Sequence, residues 1–262
     1  MATKALFTDF ANAKIVDYRD SQAPNNAIVI TCEHASNTLP EGYEWSEFDR
    51  ENFANEHWAW DPAALDVAMY LASELKCVLV HSLYSRLLVD VNRDITSDTL
   101  FRKEGDGKVI ELNKDMSAEE EQKRIYQYHT SYYTALRDVS EKIDPALIIS
   151  VHSMTPVYEG KERELEVGVL FTDSEKLGES VDQELKIIGY KSAQNEPYDG
   201  NILNAMNCIL RANYPVRREA FCYEIRNDII QDAKRAGQVK KDLLEVAKKT
   251  CKLEEKINYM GF

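Results

Sequence analysis

The sequence has few of the residues that mark disulfide frameworks, membrane spans and nucleotide-binding loops. Its five cysteines are widely spaced with no Cys-x-x-Cys pair, which argues against a disulfide framework or a zinc ribbon and suits a reducing compartment. No stretch approaches the ~20 apolar residues of a membrane-spanning helix, and the first residues lack a basic-then-apolar signal pattern. Neither glycine-rich phosphate-binding motif occurs, so nothing supports a nucleotide cofactor. We therefore expect a cytoplasmic protein.

Positive charge is also in short supply. The 262 residues include 32 Lys and Arg against 45 Asp and Glu, a formal net charge of −13. A field of this sign repels phosphate, so the sequence predicts neither a nucleic-acid partner nor an anionic-membrane partner. An acidic small-molecule ligand would need a locally basic pocket. The composition leaves the oligomeric state open.

Short apolar segments alternate with amphipathic ones along the chain, which predicts an α/β fold. Several of the apolar segments are almost continuously β-branched, as in strands covered on both faces. The predicted strands span residues 27–31, 77–81, 87–91, 146–151, 167–171 and 220–225. Helical spacing of apolar residues predicts helices over 64–75, 177–188 and 229–247, and capping boxes predict helix starts at 117–120 and 172–175.

The chain has no internal repeat and no Pro- or Gly-rich linker, so we predict a single domain over residues 1–262. Its architecture is expected to be a three-layer sandwich around a mixed, mainly parallel central sheet. The polar segment 96–115 is predicted to form a loop over one edge of that sheet.

Polar side chains follow four of the predicted strands. His34, His152, the pair Asn92–Arg93 and Glu224 all lie at or near a strand's carboxyl end, which is where ligands bind in open α/β sheets. Four such strand ends favour one convergent site over four coincidences.

Two of these residues, His34 and His152, suit a catalytic metal, which needs three protein ligands and an open position. The alternative is that each histidine is held by ordinary hydrogen bonds. The residues alone leave the third ligand open between Asp61, Glu33 and His57. Asp61 precedes a proline and therefore also suits a helix N-cap.

A general base and several cations complete the candidate site. Glu224 lies in an apolar strand, where burial raises a carboxyl pKa toward neutrality, although a structural ion pair with Arg226 would explain it equally well. Arginines bind carboxylates with two parallel hydrogen bonds, and the alternative is that they pair with surplus acids of the protein. Tyr198 lies in a predicted turn, where it either contacts the substrate or serves the turn alone. His129 is expected on a helix surface.

Taken in order, these motifs resemble those of the N-formylglutamate amidohydrolase family, in the branch whose first motif reads Cys-Glu-His-Ala-Ser-Asn. The resemblance covers about residues 27–230. It is carried by Cys32–Asn37, His57–Asp61, Ser85–Arg86, Asp90–Arg93, His152–Pro156, Gly168, Asn195–Tyr198 and Glu224–Asp228.

The resemblance implies a zinc-exopeptidase-like fold, distantly similar to zinc carboxypeptidases and aspartoacylases. Those relatives take two metal ligands from a His-x-x-Glu pair, but Asn37 stands at the second of these positions here. We therefore choose Asp61 as the third ligand. The implied site has Zn²⁺ on His34, Asp61 and His152, Glu224 and Arg86 in catalysis, and Asn92, Arg93, Ser153, Arg163, Tyr198 and Arg226 on the substrate.

The expected activity is hydrolysis of the C–N amide bond of a small acidic N-acyl amino acid, with N-formyl-L-glutamate first. Two alternatives remain at this point. One is a metallo-exopeptidase or deacylase for another N-acyl amino acid or peptide, and the other is a non-catalytic module that binds acidic ligands.

Overall fold

A seven-stranded mixed sheet forms the centre of the fold. The structure is a computed structural model, and it describes residues 7, 9–22, 24–211 and 218–251. The sheet strands are β1 (Ala13–Asp17), β2 (Ile28–Cys32), β3 (Val78–Ser82), β4 (Leu147–Met154), β5 (Val167–Leu170), β6 (Ser192–Gln194) and β7 (Glu219–Arg226). Their order across the sheet is β1-β3-β2-β4-β7-β5-β6.

The four central strands β3, β2, β4 and β7 run parallel to one another. Strand β1 runs antiparallel to β3 at one edge, and β5 and β6 run antiparallel to β7 at the other. The carboxyl ends of the four central strands therefore meet at one edge of the sheet, as the sequence predicts.

Helices cover both faces of the sheet. They are α1 (Glu47–Asn52), α2 (Ala64–Leu75), α3 (Ala118–Arg124), α4 (Thr130–Ile143), α5 (Glu175–Ile187), α6 (Asn204–Arg211), α7 (Asn227–Gln231) and α8 (Ala236–Thr250). A π-helical turn, Ile125–His129, joins α3 to α4, and 3₁₀ turns lie at Glu111–Asn113 and Gly200–Ile202. Two short hairpins pair Glu104–Gly105 with Lys108–Val109 and Val157–Tyr158 with Lys161–Glu162. No helix in the described part of the chain is long and apolar enough to cross a membrane.

The core is divided by the sheet into two halves. On one side α2, α5, α7 and α8 bury side chains such as Leu71 and Leu243 against the sheet. On the other side α4 and α6 bury side chains such as Tyr132 and Met206. Apolar side chains on both faces of the central strands explain their nearly continuous hydrophobic sequences. The predicted three-layer sandwich with a mixed, mainly parallel sheet is confirmed.

One predicted strand, over residues 87–91, is wrong. This segment forms turns, although Leu87 and Leu88 are fully buried. They pack in two small clusters outside the sheet, with Phe53 and Tyr128 among their neighbours. The backbone carbonyl of Leu87 accepts a hydrogen bond from Asn113 Nδ2 rather than from a strand. The apolar pattern of residues 87–91 arises from burial beneath the 96–115 segment, which packs over them.

Two helix predictions also need correction. The apolar spacing over 229–247 belongs to two helices, α7 and α8, and Ala233 between them is exposed. Helix α5 begins at Glu175, within the predicted start at 172–175, but Thr172 does not cap it, because Thr172 Oγ1 donates to Asn207 and the N-cap residue is Ser174, whose hydroxyl accepts from the backbone N–H of Ala220. The box at 117–120 is confirmed, since Ser117 Oγ accepts from the backbone N–H of Glu120 at the start of α3.

Candidate metal centre and active site

The candidate site lies at the carboxyl edge of the central strands. His34 follows the end of β2 by two residues, and His152 lies near the end of β4. In β7, Glu224 is directly opposite His152 in the parallel register. Three neighbouring strands therefore position His34, His152 and Glu224 at the same edge of the sheet.

His34, Asp61 and His152 form a group that can hold a metal ion. One donor atom from each lies within 4.8 Å of the others, and all three residues are buried. Nδ1 of His152 is 2.8 Å from Asp61 Oδ2, and Nδ1 of His34 is 3.4 Å from Asp61 Oδ1. Two imidazoles and one carboxylate are a ligand set that catalytic zinc uses, because they leave a coordination position open.

Asp61 reaches this position from the loop before α2. Its backbone N–H donates to the carbonyl of His34, and its Oδ2 accepts a hydrogen bond from the backbone N–H of Ser153. The N-cap residue of α2 is Ala63, which has φ of 62° and no side-chain cap. The alternative in which Asp61 caps a helix is therefore wrong.

Two further buried carboxylates lie behind the histidines. Asp90 Oδ1 is 2.7 Å from Nε2 of His34, and Glu33 Oε2 is 2.8 Å from Nε2 of His152. Because each Nε2 faces one of these carboxylates, each Nδ1 faces Asp61. A ligating imidazole commonly donates its other N–H to such a carboxylate, which fixes the tautomer and the ring.

One buried nitrogen in this group has no hydrogen-bond partner in the described part of the chain. Nδ1 of His34 is excluded from solvent and makes no hydrogen bond. An unpaired buried nitrogen is costly unless something else satisfies it. A metal ion held with Asp61 and His152 would do so, and the residues present therefore fit a metal.

The charges of the site are strongly coupled. Burial alone would raise the pKa of Asp61, but the neighbouring His34 and the hydrogen bond from His152 hold that pKa well below its usual value. Burial would likewise lower the pKa of His152, but its hydrogen bonds with Asp61 and Glu33 raise it to about 10. A strongly anionic donor group that attracts a positive charge is the electrostatic environment a cation site needs.

Glu224 differs from the other carboxylates of the site. It is 5% exposed and lines the pocket with His34, Asp61 and His152, yet its carboxylate makes no hydrogen bond or ion pair with any described residue. Burial, together with the negative charge of Asp61, raises its pKa to about 7 against the opposing effect of His152. The structural ion pair with Arg226 is absent, because Arg226 pairs with Asp228 at 2.8 Å.

The predicted arginines occupy different positions. Arg86 and Arg93 line the pocket, whereas Arg226 and Arg163 do not. Arg86 donates to Asp90 Oδ2 at 2.6 Å and lies 3.7 Å from Asp61. Arg226 bonds the backbone carbonyl of Arg163 as well as Asp228, which is a structural arrangement, so its assignment to the substrate is not retained.

Tyr198 lines the pocket, and Arg163 lies behind it. The Tyr198 hydroxyl accepts a hydrogen bond of 3.1 Å from Nη2 of Arg163. A glycine allows the Tyr198 loop to approach, because a Cβ at Gly168 of β5 would lie 2.1 Å from the backbone oxygen of Glu196. Arg163 therefore lies behind the pocket wall, where it also contacts the ring of Tyr158 and donates to the carbonyl of Thr155.

Asn92 and Ser153 line the pocket but have partners of their own. Asn92 Oδ1 accepts from the backbone of Ala205, and its Nδ2 lies 3.4 Å from His152 Nε2. Ser153 Oγ donates to the carbonyl of Pro62. Both side chains therefore stabilise the walls of the site through these hydrogen bonds.

Sequence analysis missed several pocket residues and misplaced another. The sequence indicates Asp90 and Trp58 only as members of motifs and gives no signal for Arg102, because all three lie in loops without a periodic pattern. His129 is buried rather than on a helix surface, and its Nε2 bonds the carbonyl of Arg93 at 2.8 Å. The polarity of the surrounding sequence concealed this contact.

Fold and site together describe an α/β protein whose sheet edge carries a pocket around a His–Asp–His group that can hold a metal ion. The family model for N-formylglutamate amidohydrolase matches residues 26–231, and the chain belongs to that family. It is thus a hydrolase acting on an amide C–N bond.

Solved structures share the fold. A gene product of Agrobacterium tumefaciens is 24% identical, with a TM-score of 0.81 over 93% of this chain and 96% of that one. N-formylglutamate amidohydrolase from Ralstonia eutropha is 16% identical, with a TM-score of 0.69 over 95% of this chain and 99% of that one. No curated protein matches the sequence.

Proposed function

We propose that this protein hydrolyses the formyl amide of N-formyl-L-glutamate to formate and L-glutamate, using a divalent metal, with zinc the first to test. The observation that carries the proposal is Glu224, a buried carboxylate without a partner in the described chain, which lines the same pocket as the His–Asp–His group. Family membership supplies the reaction class. The substrate follows from the family and from the cationic walls of the pocket.

The metal ligands in this proposal are Nδ1 of His34, Nδ1 of His152 and the carboxylate of Asp61. Asp61 is preferred to Glu33 because Glu33 already accepts hydrogen bonds from Ser150 and from Nε2 of His152. It is preferred to His57 because His57 is not part of the buried donor group. When bound, zinc supplies Lewis acidity to the scissile carbonyl.

Glu224 moves the proton in this scheme. It accepts a proton from the water whose oxygen bonds to the formyl carbon, and it then delivers that proton to the amide nitrogen as the C–N bond breaks. The second proton of the water leaves on formic acid and passes to the amine as the acid ionises, so the products are formate and the ammonium form of L-glutamate, and atoms and charges balance. A carboxylate with no competing hydrogen bond is free to take and return this proton.

Arg86 has a position suited to stabilising negative charge on the carbonyl oxygen. Its guanidinium is fixed by Asp90 and remains close to Asp61, so it needs no rearrangement during the reaction. Arg93 is assigned to the α-carboxylate of the substrate, with Asn92 beside it. His129 holds the backbone carbonyl of Arg93 and thereby keeps Arg93 at the pocket wall.

The test is formate release from N-formyl-L-glutamate by the purified protein supplied with zinc. Glu224→Gln is the matched inactive variant, because it preserves shape and removes the base. Glu141→Gln, an exposed carboxylate on α4, serves as the control that keeps wild-type activity. Formate at the level of the Glu224→Gln variant would reject the substrate, and a panel of N-acetyl and N-formyl amino acids run in parallel would identify a different acyl substrate.

A further inference from the structure

The pocket contains a cation that no established role uses. Arg102 belongs to the 96–115 segment and lines the pocket together with Arg93 and Glu224. Its guanidinium makes no hydrogen bond and no ion pair with any residue in the described ranges. This is unusual in a protein with a formal net charge of −13, where carboxylates outnumber cations.

The position of Arg102 is fixed without using its hydrogen-bond donors. The guanidinium carbon lies 5.0 Å from the ring centroid of Trp58, a cation–π contact. The indole N–H of Trp58 donates to Asp106 at 2.8 Å, and the backbone carbonyl of Arg102 accepts from Asn113 Nδ2 at 2.8 Å. The side chain is therefore held by its flat face, and the N–H groups along its edge remain available to a ligand.

The other two arginines of the pocket differ in whether a carboxylate neutralises their charge. Arg86 is neutralised by Asp90. Arg93 donates to Thr99 Oγ1 and to the carbonyl of Asn92, but no carboxylate of the described chain lies within ion-pair distance of it. Burial lowers the pKa of Arg102, and the charges of Arg86 and Arg93 act in the same direction, against the opposing effects of Tyr158 and Asp90. Arg93 and Arg102 therefore lie in one pocket without a carboxylate partner from the described chain, and a ligand with two negative charges would neutralise both.

We propose that Arg102 binds the side-chain carboxylate of the substrate and so determines the preference for an acidic N-acyl amino acid. This inference rests on the proposed function, and it identifies the residue that recognises the side-chain carboxylate of the substrate. Arg93 lines the pocket with His152, and Asn92 before it lies 3.4 Å from Nε2 of that histidine, so we assign the nearer, α-carboxylate group to Arg93. One carbon separates the α-carboxylate from the scissile amide nitrogen, whereas three carbons separate the side-chain carboxylate from it, so the side-chain carboxylate extends toward a separate cation.

The experiment compares two ligands of nearly equal shape, N-formyl-L-glutamate and N-formyl-L-glutamine. Their dissociation constants are measured by calorimetry in the inactive Glu224→Gln background with zinc, with and without Arg102→Gln. The charged ligand is expected to lose about tenfold or more in affinity with Arg102→Gln, while the neutral ligand changes little. Arg102→Lys keeps the charge but not the planar fork, and it should recover part of the loss.

Arg137→Gln on α4 is the matched control, since this arginine is 67% exposed and lies outside the pocket. Equal losses for both ligands, or a Glu224→Gln protein that does not prefer glutamate to glutamine, would overturn the assignment. The turnover assay separates the two hypotheses. Formate release with an unchanged preference in Arg102→Gln rejects Arg102 alone, and a relaxed binding preference without formate release rejects the proposed reaction alone.

Discussion

Nε2 of His152 lies 2.8 Å from Oε2 of Glu33, and both residues are buried. Glu33 also accepts hydrogen bonds from the hydroxyls of Ser150 and Tyr132, so its carboxylate is held on several sides. This contact turns the opposite ring nitrogen of His152 toward Asp61. The orientation of a proposed metal ligand is thus set by a residue that is not itself a ligand.

Replacing that carboxylate by an amide tests its contribution. Glu33→Gln keeps the size of the side chain but removes the charge that fixes the His152 ring, so we expect metal affinity to fall about 10- to 100-fold. Competition between the protein and a chromogenic chelator measures the change. Glu141→Gln on the surface of α4 is the control. Unchanged affinity in Glu33→Gln would mean that His152 is oriented by its other contacts.

Removal of the metal gives a second prediction. Dialysis against a strong chelator is expected to abolish formate release and lower the melting temperature, because a ligand that binds only the folded state stabilises it. Adding zinc back should restore both. Asp61→Asn is expected to show neither response, since the variant lacks one proposed ligand. Full activity in a preparation shown by elemental analysis to contain no metal would contradict the metal dependence.

The third prediction concerns the glycine beneath the Tyr198 loop. Gly168→Ala places a methyl group 2.1 Å from the backbone oxygen of Glu196, so the loop must move. We expect a loss of about 1–3 kcal/mol in the free energy of unfolding, together with a higher KM. Gly237→Ala in α8 is a control of opposite sign, because its Cβ meets open space and alanine favours helix by up to about 1 kcal/mol. Urea denaturation distinguishes the two outcomes.

The fourth prediction concerns stability at acid pH, away from the metal site. Burial tends to raise the pKa of Asp182, but hydrogen bonds from Lys186, Ser192 and Gln194 outweigh it and leave the pKa below its usual value. The folded pKa therefore lies below the ~3.9 of an unfolded aspartate. Ionised Asp182 stabilises the fold above about pH 4, and this contribution is lost as the pH falls through the folded value.

Accordingly, Asp182→Asn should destabilise the protein at pH 7 by about 1–2 kcal/mol, and the difference from wild type should shrink below about pH 4. Chemical denaturation at a series of pH values measures it. A difference that stays constant from pH 7 to pH 3 would show that the loss comes from packing rather than from the charge.

Much of the fold is predictable from the sequence because buried strands have a strong local signature. Residues 146–151 are almost entirely apolar, and they form the centre of the sheet as β4. The sequence does not predict the edge strands β1 and β6, because only the first of the five residues of β1 is buried and β6 is only three residues long. The error at 87–91 has the opposite cause, since local hydrophobicity cannot distinguish burial in a sheet from burial under a loop.

The candidate site was predictable to the extent that its residues follow strands. His34, His152 and Glu224 were placed together because parallel strands share a carboxyl edge. Arg102 and Asp90 come from loops, whose positions depend on contacts far apart in the sequence, such as the packing of the 96–115 segment on Trp58. The single-domain extent, the cytoplasmic location and the lack of nucleic-acid and membrane partners stay predictions.

The π-helical turn at Ile125–His129 determines the direction in which His129 points. A residue inserted into a helix rotates everything on one side of it by about 100°, and here the turn accommodates that rotation within five residues. His129 faces inward from this turn and meets the backbone of Arg93. Deleting one residue from this turn is therefore expected to restore regular helical phase and to turn the imidazole of His129 away from the carbonyl of Arg93.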